Sequence, residues 1–503
     1  MEISSDWLSR KLGYGFSLDE PQVAAEDWIF AAKREVSKTP EFNPWRFVAR
    51  KPEGKSLKEM QLPDAMTDIG QFGLVTEDLR YPSSVGVAVQ KIERARKDQV
   101  EWQKLEKAKK IKDSDFLKNP YIRNNFFCWW RDTLSRGLDN VRGATPVYNR
   151  FWHFWINHFS VNTNGCEGEL FGNLYLTLRD NLTVKYDQLL FKAITSPALQ
   201  EFLQNNRSVG PNSAQAKWNK TNNKSAPTSI NENLGRELLE LYTVSPKAGY
   251  SQDDVNGATY ILTGWGQTGG KASAPDFFNP DGHEPGAHQV LGKSYNSDDF
   301  KSRLRQLCVD LAKHPLTAEH LAGKLARHFI SDEPPKEAID LIANAYRKTD
   351  GSLIAVHQAV IDAVAQAGPM HKKFVSPERW FWLLHRTTKQ RLPLDFLGPN
   401  PLKTSKQIDA MLIDLGEMHS EALQPNGWPE AEVDWLTPEY LDRRIRFANI
   451  LGNKLYDPYY FDAVSYAERI LGKDHTTSKM VARAESYPVA CTVLFCSDAF
   501  LRI

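Results

Sequence analysis

The sequence predicts a mainly α-helical protein: a multi-helical single large domain with long irregular loops and at most a small β-hairpin. Three observations lead there. Apolar residues recur three and four positions apart in DWIFAAKREV, CVDLAKHPLTAEHLAGKLARHFI, SLIAVHQAVIDAVAQAG and YLDRRIRFANILGN, the spacing that turns one stripe of a helix toward a core. Alternation with period two is rare, and the best strand candidates, HQVLGKSY and IGQFGLVTE, are short. The 503 residues are 41% hydrophobic and 25% charged, which supplies a large core and lies far from the profile of a disordered chain.

Along the chain we expect a helical region over 1–140, a central helical region over 141–390 that carries the polar motifs, and a third over 391–503, all parts of one architecture. The stretch 89–118 holds many basic residues, including Lys107, Lys109, Lys110 and Lys112. Interleaved acids, and Trp102 as the one residue that could stack on a base, make it a solvated helix with pairs such as Glu93 to Lys97, not a nucleic-acid surface. Three segments look irregular: 205–230, rich in Asn, Ser, Gly and Pro; 266–299, containing GQTGGKASAPDFFNPDGHEPGAH; and LPLDFLGPNPLKTS from Leu392, a connector.

Charge and cysteine content exclude several classes. The net charge is +1, so no global field draws the chain to nucleic acid or anionic lipid. Glu2 and Asp6 interrupt the start where a signal peptide needs a basic then an apolar run, which predicts a cytoplasmic protein. YPVACTVLFC is about half of the roughly 20 residues that span a bilayer, so no membrane span is expected. Cys128, Cys166, Cys308, Cys491 and Cys496 are odd in number, lack zinc-site spacing and are expected as reduced, buried thiols.

Three polar segments are candidates for chemistry. In NENLGRELLELYT, helical spacing puts Leu234, Leu238, Leu241 and Tyr242 on one side and Glu232, Arg236 and Glu240 on the other. Asn233 and Glu237 fall at the border, where a half-buried carboxylate has a raised pKa. In NRFWHFWINHFSVN, His153 and His158 are about 140° apart on a helix and cannot both face one ion; His153 pairs better with Asn157. So aromatic a helix is buried, and its histidines are either core residues bonded to another helix or ligands. In PDGHEPGAH, Asp281, His283, Glu284 and His288 sit on an irregular loop. His314, His320 and His328 suggest surface or capping roles. No GxGxxG, Walker loop, HExxH or GxSxG pattern is present, which lowers the common nucleotide-binding and hydrolase classes.

Taken in order, FWINHF (154–159), INENLGRELLELYTV (230–244), YSQDDV (250–255), ILTGW (261–265), His283–Glu284 with VLG (290–292), AGKLARHF (322–329) and LQPNGWP (423–429) resemble the motif series of a bacterial family, domain of unknown function 1800. LSRKLGYGFS near the start and SDAFLRI at the end resemble its terminal segments, so the likeness covers nearly the whole chain. The resemblance implies one mostly helical architecture and supplies no function. It also implies that Asn231, Glu232, Asn233, Arg236, Glu237 and Glu240 form a buried polar cluster. Two departures stand out: Ile156 occupies the place of the family's first histidine in FWHNHF, and Asn149 that of an expected acid.

Two functional readings follow. In the first, an enzyme has its pocket between the His158 helix, the Glu232–Glu240 helix and the His283 loop. His158, Glu232 and His283 bind a transition metal or redox cofactor there, while Glu237, Arg236 and Asn233 act on the substrate and Arg236 holds its anionic group. In the second, a non-catalytic binding or assembly protein uses Glu232, Arg236 and Glu237 as a structural buried ion-pair network and takes a protein partner. An open cavity lined by unpaired polar groups favours the first, and a closed, satisfied network the second.

Overall fold

The computed structural model describes residues 3–41, 97, 100, 101, 103, 104, 107, 136, 137, 139–141, 143–163, 168–266, 277–389, 401–454 and 461–503, with the backbone alone at 401–407 and 454. These residues form a mainly helical protein with one two-stranded antiparallel sheet. IGQFGLVTE, most of the basic stretch 89–118, Cys128 and Cys166 lie outside the described residues. No helix among the described residues is long and apolar enough to cross a membrane.

Two apolar cores organise the molecule. The first is built on the Pro146–His158 helix, whose aromatic residues face inward all round: Phe151, Trp152, Phe154, Trp155 and Phe159 just beyond it are all buried. Such a helix has no wet face and must be enclosed. Around it pack Gly168–Asp180 and Tyr186–Ile194 and, further along the chain, Pro315–Phe329, Lys336–Lys348 and Leu353–Ala367, the last three stacked in succession. The second core gathers Trp380, Phe381, Trp382, Leu383 and Leu384 of the Pro377–Thr387 helix with residues of Pro401–Leu415, Pro438–Lys454, Ala463–Leu471 and Tyr487–Phe495.

The Ser5–Leu12 helix links the two. Ser4 caps it by accepting from the Trp7 amide (3.2 Å), and Trp7, Leu8 and Leu12 enter the first core while Tyr14 and Phe16, just past its end, enter the second. Lys11 Nζ donates to the Ile330 and His371 carbonyls at 2.7 and 2.8 Å, tying the helix to both halves.

The hairpin lies within HQVLGKSY. His288–Val290 pairs with Lys293–Tyr295, in the register His288 to Tyr295 and Val290 to Lys293. Leu291 (φ 48°) and Gly292 (φ 75°) turn it, the two left-handed residues that a tight hairpin of this twist demands. The Leu291 amide donates to Asp254 Oδ1 (2.6 Å), which holds a leucine in a conformation that L-residues disfavour. Two loops are more ordered than their composition suggests. Residues 205–230 contain the Ala214–Asn222 helix, capped by Ser213, and the connector after Leu392 is already helical from Pro401. Cys308 and Cys491 are buried free thiols and Cys496 is half-buried.

Candidate functional site

The NENLGRELLELYT segment forms the Asn233–Glu240 helix, with Asn231 Oδ1 receiving the Asn233 amide at its start (3.1 Å). Leu234, Leu238 and Leu239 are buried, and Gly235 lies flat on the Gln252–Leu262 helix, where a Cβ would overlap Thr259 Oγ1. The polar side is a water-facing surface. Glu232 and Arg236 pair at 2.7 Å with side chains 41% and 36% exposed, and Gln252 Nε2 donates to the second oxygen of Glu232 (2.6 Å). Asn233 is exposed. The expected buried ion-pair network is therefore a surface network. Glu237 is half-buried, and burial, then the neighbouring Glu240 charge, pushes its carboxyl up to about 7.

His158 is buried with both ring nitrogens engaged. The Tyr186 hydroxyl donates to the Tyr242 carbonyl, so His158 Nε2–H must donate to Tyr186 (3.1 Å), leaving Nδ1 to accept from Lys324 Nζ (3.0 Å). Burial, then Lys324, holds this imidazole well below its usual range. His283 is equally occupied: Nδ1–H donates to the Thr263 carbonyl (2.7 Å) and Nε2 accepts from Arg303 (3.2 Å), pinning the loop to the end of the Gln252–Leu262 helix. Among the described residues no group of three or more His, Cys, Asp or Glu side chains stands close enough to hold a metal ion. His158, Glu232 and His283 are thus three separate features, and the expected transition-metal triad does not assemble. Of the two departures, Ile156 is core, while Asn149 is buried with both side-chain amide atoms unpaired among the described residues.

A different set of residues encloses a cavity where the two cores meet. Arg150, His153 and Asn157 come from the Pro146–His158 helix and His328 from Pro315–Phe329. Lys373, Phe374, Ser376 and Arg379 come from the start of Pro377–Thr387 and the strand-like segment before it, and Glu417, Pro429 and Glu430 from two loops. The cavity measures about 30 Å³ and is partly open to solvent. That is room for about two or three waters, at roughly 10–15 Å³ each. It shares one wall with the predicted pocket, the Pro146–His158 helix; neither His283 nor any residue of Asn233–Glu240 lines it.

Asn157 builds the outer wall. Its side-chain oxygen accepts from the Trp428 amide (2.8 Å) and its amide donates to the Trp428 carbonyl (3.1 Å), clamping the PNGWP segment to the helix. Gly427, at φ 78°, lies so close to Asn157 that a Cβ would overlap its carbonyl oxygen. Glu430 follows and receives His328 Nδ1–H at 2.7 Å.

The electrostatics of this wall are lopsided. Arg150, Arg379 and Lys373 are buried, with Lys11 and Arg10 behind them. Burial, then the charges of Arg379, Lys373, Arg150 and Arg10, lowers Lys11 well below an ordinary ammonium; burial and Arg150 do the same to Arg379. A guanidinium does not escape such repulsion by losing its proton. Arg150 lies over the rings of Tyr14 and Phe329, 5.7 and 5.3 Å from their centres, and its Nε has no hydrogen-bond partner among the described residues. The same holds for His328 Nε2 and His153 Nδ1. Opposite charge is scarce. Burial works against the Glu430 carboxylate, but His328, Lys373 and Lys324 outweigh it and hold the group down to about 2. Asp332 pairs with Lys373. Burial, then Glu378, pushes Glu417 up to about 7. Burial lowers His328 to about 4, against the pull of Glu430, so the ring is neutral at pH 7.

Next to the cavity lies a polar network that is closed. Glu378 Oε1 accepts from Arg136 (3.2 Å) and Trp382 Nε1 (3.1 Å), and Oε2 accepts from the His419 amide (2.8 Å). Burial opposes the Glu378 charge, yet His419 and Arg136 hold the carboxyl well below its usual range.

Local spacing does not single out Arg150, Arg379, Lys373 or Glu430, and His328, expected in a surface or capping role, is buried. A usable signal was present: NRFWHFW and PERWFWLL each carry an arginine inside a run of large aromatics, and a cation in such company is buried and requires a partner.

Fold and site together define a mainly helical protein with a cationic cavity set between two cores. The family model described as Protein of unknown function (DUF1800) matches residues 58–500, and the chain belongs to that family. No curated protein and no solved structure matches it.

Proposed function

We propose that the cavity between the two cores binds the anionic group of a small molecule. One observation carries this reading: three buried cations, Arg150, Arg379 and Lys373, line one small cavity together with Glu430 as its one firmly ionised carboxylate. Clustered buried cations destabilise a fold unless an anion neutralises them, and Arg is the side chain best shaped to hold an oxyanion.

Thermal unfolding in phosphate, sulfate, acetate and chloride at constant ionic strength tests it. An oxyanion that occupies the cavity raises Tm saturably, as any ligand of the native state does, and Arg150→Gln removes the rise. Equal Tm in all four salts, or a rise that survives Arg150→Gln, contradicts the proposal.

A second reading rests on Glu237, half-buried with a carboxyl near 7. It makes the Asn233–Glu240 helix an acid–base surface on which Asn233 and Arg236 position a ligand. Under this reading Glu237→Gln abolishes ligand binding without loss of stability, whereas under the first it leaves anion binding unchanged.

A further inference from the structure

Acids interleaved with bases make 89–118 an ordinary solvated stretch, and the same criterion sets another segment apart. From Phe202 to Asn231 there is no aspartate or glutamate, against four bases, Arg207, Lys217, Lys220 and Lys224. All four are exposed, and among the described residues none forms an ion pair. The Ala214–Asn222 helix arranges three of them around an aromatic. At about 100° per residue, Lys217, Trp218, Lys220 and Thr221 fall within an arc of roughly 160° and are all exposed, while Ala216 and Asn219 behind them are buried. Lys224 follows in a turn closed by the Ala226 amide on the Asn223 carbonyl (3.0 Å). Trp218 is 59% exposed, and its indole makes no hydrogen bond, ring stack or cation–π contact among the described residues.

This face is held rigidly from behind. Asn219 Nδ2 donates to the Pro227 carbonyl (2.7 Å), Asn279 Nδ2 to Gln215 (2.9 Å), and the Asn212 amide and side chain to the two oxygens of Glu284 (2.9 and 2.6 Å). Glu284, the acid that does reach the segment, is buried and engaged by Asn212. Asp281, on the turn packed against the helix, pairs with none of the four bases. The surface is separate from the cavity, which none of these residues lines.

Unpaired lysines in water cost the fold little, but together they attract a polyanion. An indole face set among them adds a second requirement, since single strands are held by cations on the backbone and aromatics on the bases, whereas a duplex keeps its base faces covered. A lipid surface fits less well. Trp218 is the sole large hydrophobic exposed between Phe202 and Asn231, and membrane binding scales with the apolar area inserted. We infer that the Ala214–Asn222 helix docks a single-stranded nucleic acid, with Trp218 stacked on a base and Lys217, Lys220 and Lys224 on the flanking phosphates. The helix is about 13 Å long, so the contact spans a few nucleotides and is sensitive to salt.

Fluorescence anisotropy of labelled oligothymidylate and oligouridylate, each of about 12 nucleotides, titrated with the full chain at about 50 and about 200 mM salt, tests the inference. Three phosphate contacts, at a log–log slope of about −0.7 each, predict roughly a twentyfold loss of affinity over that range. Trp218→Ala weakens binding about fivefold or more with the slope unchanged, and Trp218→Phe recovers part of the loss. Lys217→Gln and Lys220→Gln each make the slope shallower by about 0.7. Tighter binding of oligouridylate identifies RNA as the partner, tighter binding of oligothymidylate identifies DNA, and equal binding identifies a surface indifferent to the sugar. No binding of either strand at the lower salt, or equal affinity of wild type and Trp218→Ala, overturns the inference. So does a duplex of the same length bound as tightly as the strand, which leaves only a basic patch. Binding to vesicles of equal phosphatidylserine and phosphatidylcholine, with none to the strands, overturns it in favour of a lipid contact.

Discussion

Glu232 and Arg236 stand one helical turn apart with side chains 41% and 36% exposed, and Gln252 completes their hydrogen bonds. Arg150 and Arg379, on two different helices, are 1% and 4% exposed and line a cavity whose cations, with Lys373, outnumber its one firmly ionised carboxylate, Glu430. Residue types are alike in the two places, but the solvent is not. At the surface, water screens each charge and the pairing is nearly neutral in free energy. Between the cores, each charge keeps most of its field, so a like-charged cluster is costly until something of opposite sign enters. Polar density in the sequence therefore does not locate a site; polar density inside apolar packing does.

The largest effect that sharpens this contrast belongs to the closed network beside the cavity. Glu378→Gln strands Arg136 and His419 in the core, and we expect a loss of about 3–5 kcal/mol in urea unfolding, with anion binding by the folded fraction retained. A loss below 1 kcal/mol would mean the network is not structural. Arg150→Gln differs in kind. It relieves repulsion as it removes stacking on Tyr14 and Phe329, so ligand-free stability should stay within about 1 kcal/mol of wild type while oxyanion stabilisation disappears. A loss as large as that of Glu378→Gln would place Arg150 in the framework instead.

Acid should act through the buried imidazoles. His283, His320 and His328 are lowered by burial to about 4 from an ordinary 6.5, so the unfolded chain binds more protons between those values. Their contribution is fully present above pH 6.5 and is lost as pH falls toward 4. Glu237 and Glu417, raised to about 7, run the other way: what they contribute is present below pH 4.5 and is lost as pH rises through 7. Tm against pH should fall on the acid side, and His328→Gln should make that arm shallower. An unchanged slope would show that His328 is not a neutral buried ring. The smallest effect is at the surface, where Arg236→Ala should cost roughly 0.5 kcal/mol, a loss that salt screens further.

Much of the fold was legible because periodicity reports burial directly. The apolar spacing of AGKLARHF and SLIAVHQAVIDAVAQAG became packed helices, and HQVLGKSY became the hairpin. The Ala214–Asn222 helix was missed because AQAKWNKTN is polar all round and carries no stripe. Its helicity rests on the Ser213 cap and local propensity. The site was less legible. His153 and Asn157 were noted as a pair on one helix face, and both line the cavity. Their partners Arg379 and Glu430 lie more than 200 residues away in the chain, and no local spacing announces such a meeting. The NENLGRELLELYT helix drew attention because its charges are dense, but dense charge at i to i+4 spacing is what a wet helix face also looks like.

The claim that separates these two regions is one of location, and an anomalous difference map from crystals grown with arsenate reads location directly. Arsenate is a tetrahedral oxyanion that, like phosphate, keeps a titrating proton near neutral pH. The account predicts a single strong arsenic peak between Arg150, Arg379 and His328, absent in Arg150→Gln crystals. A peak at Arg236 with the cavity empty would contradict it.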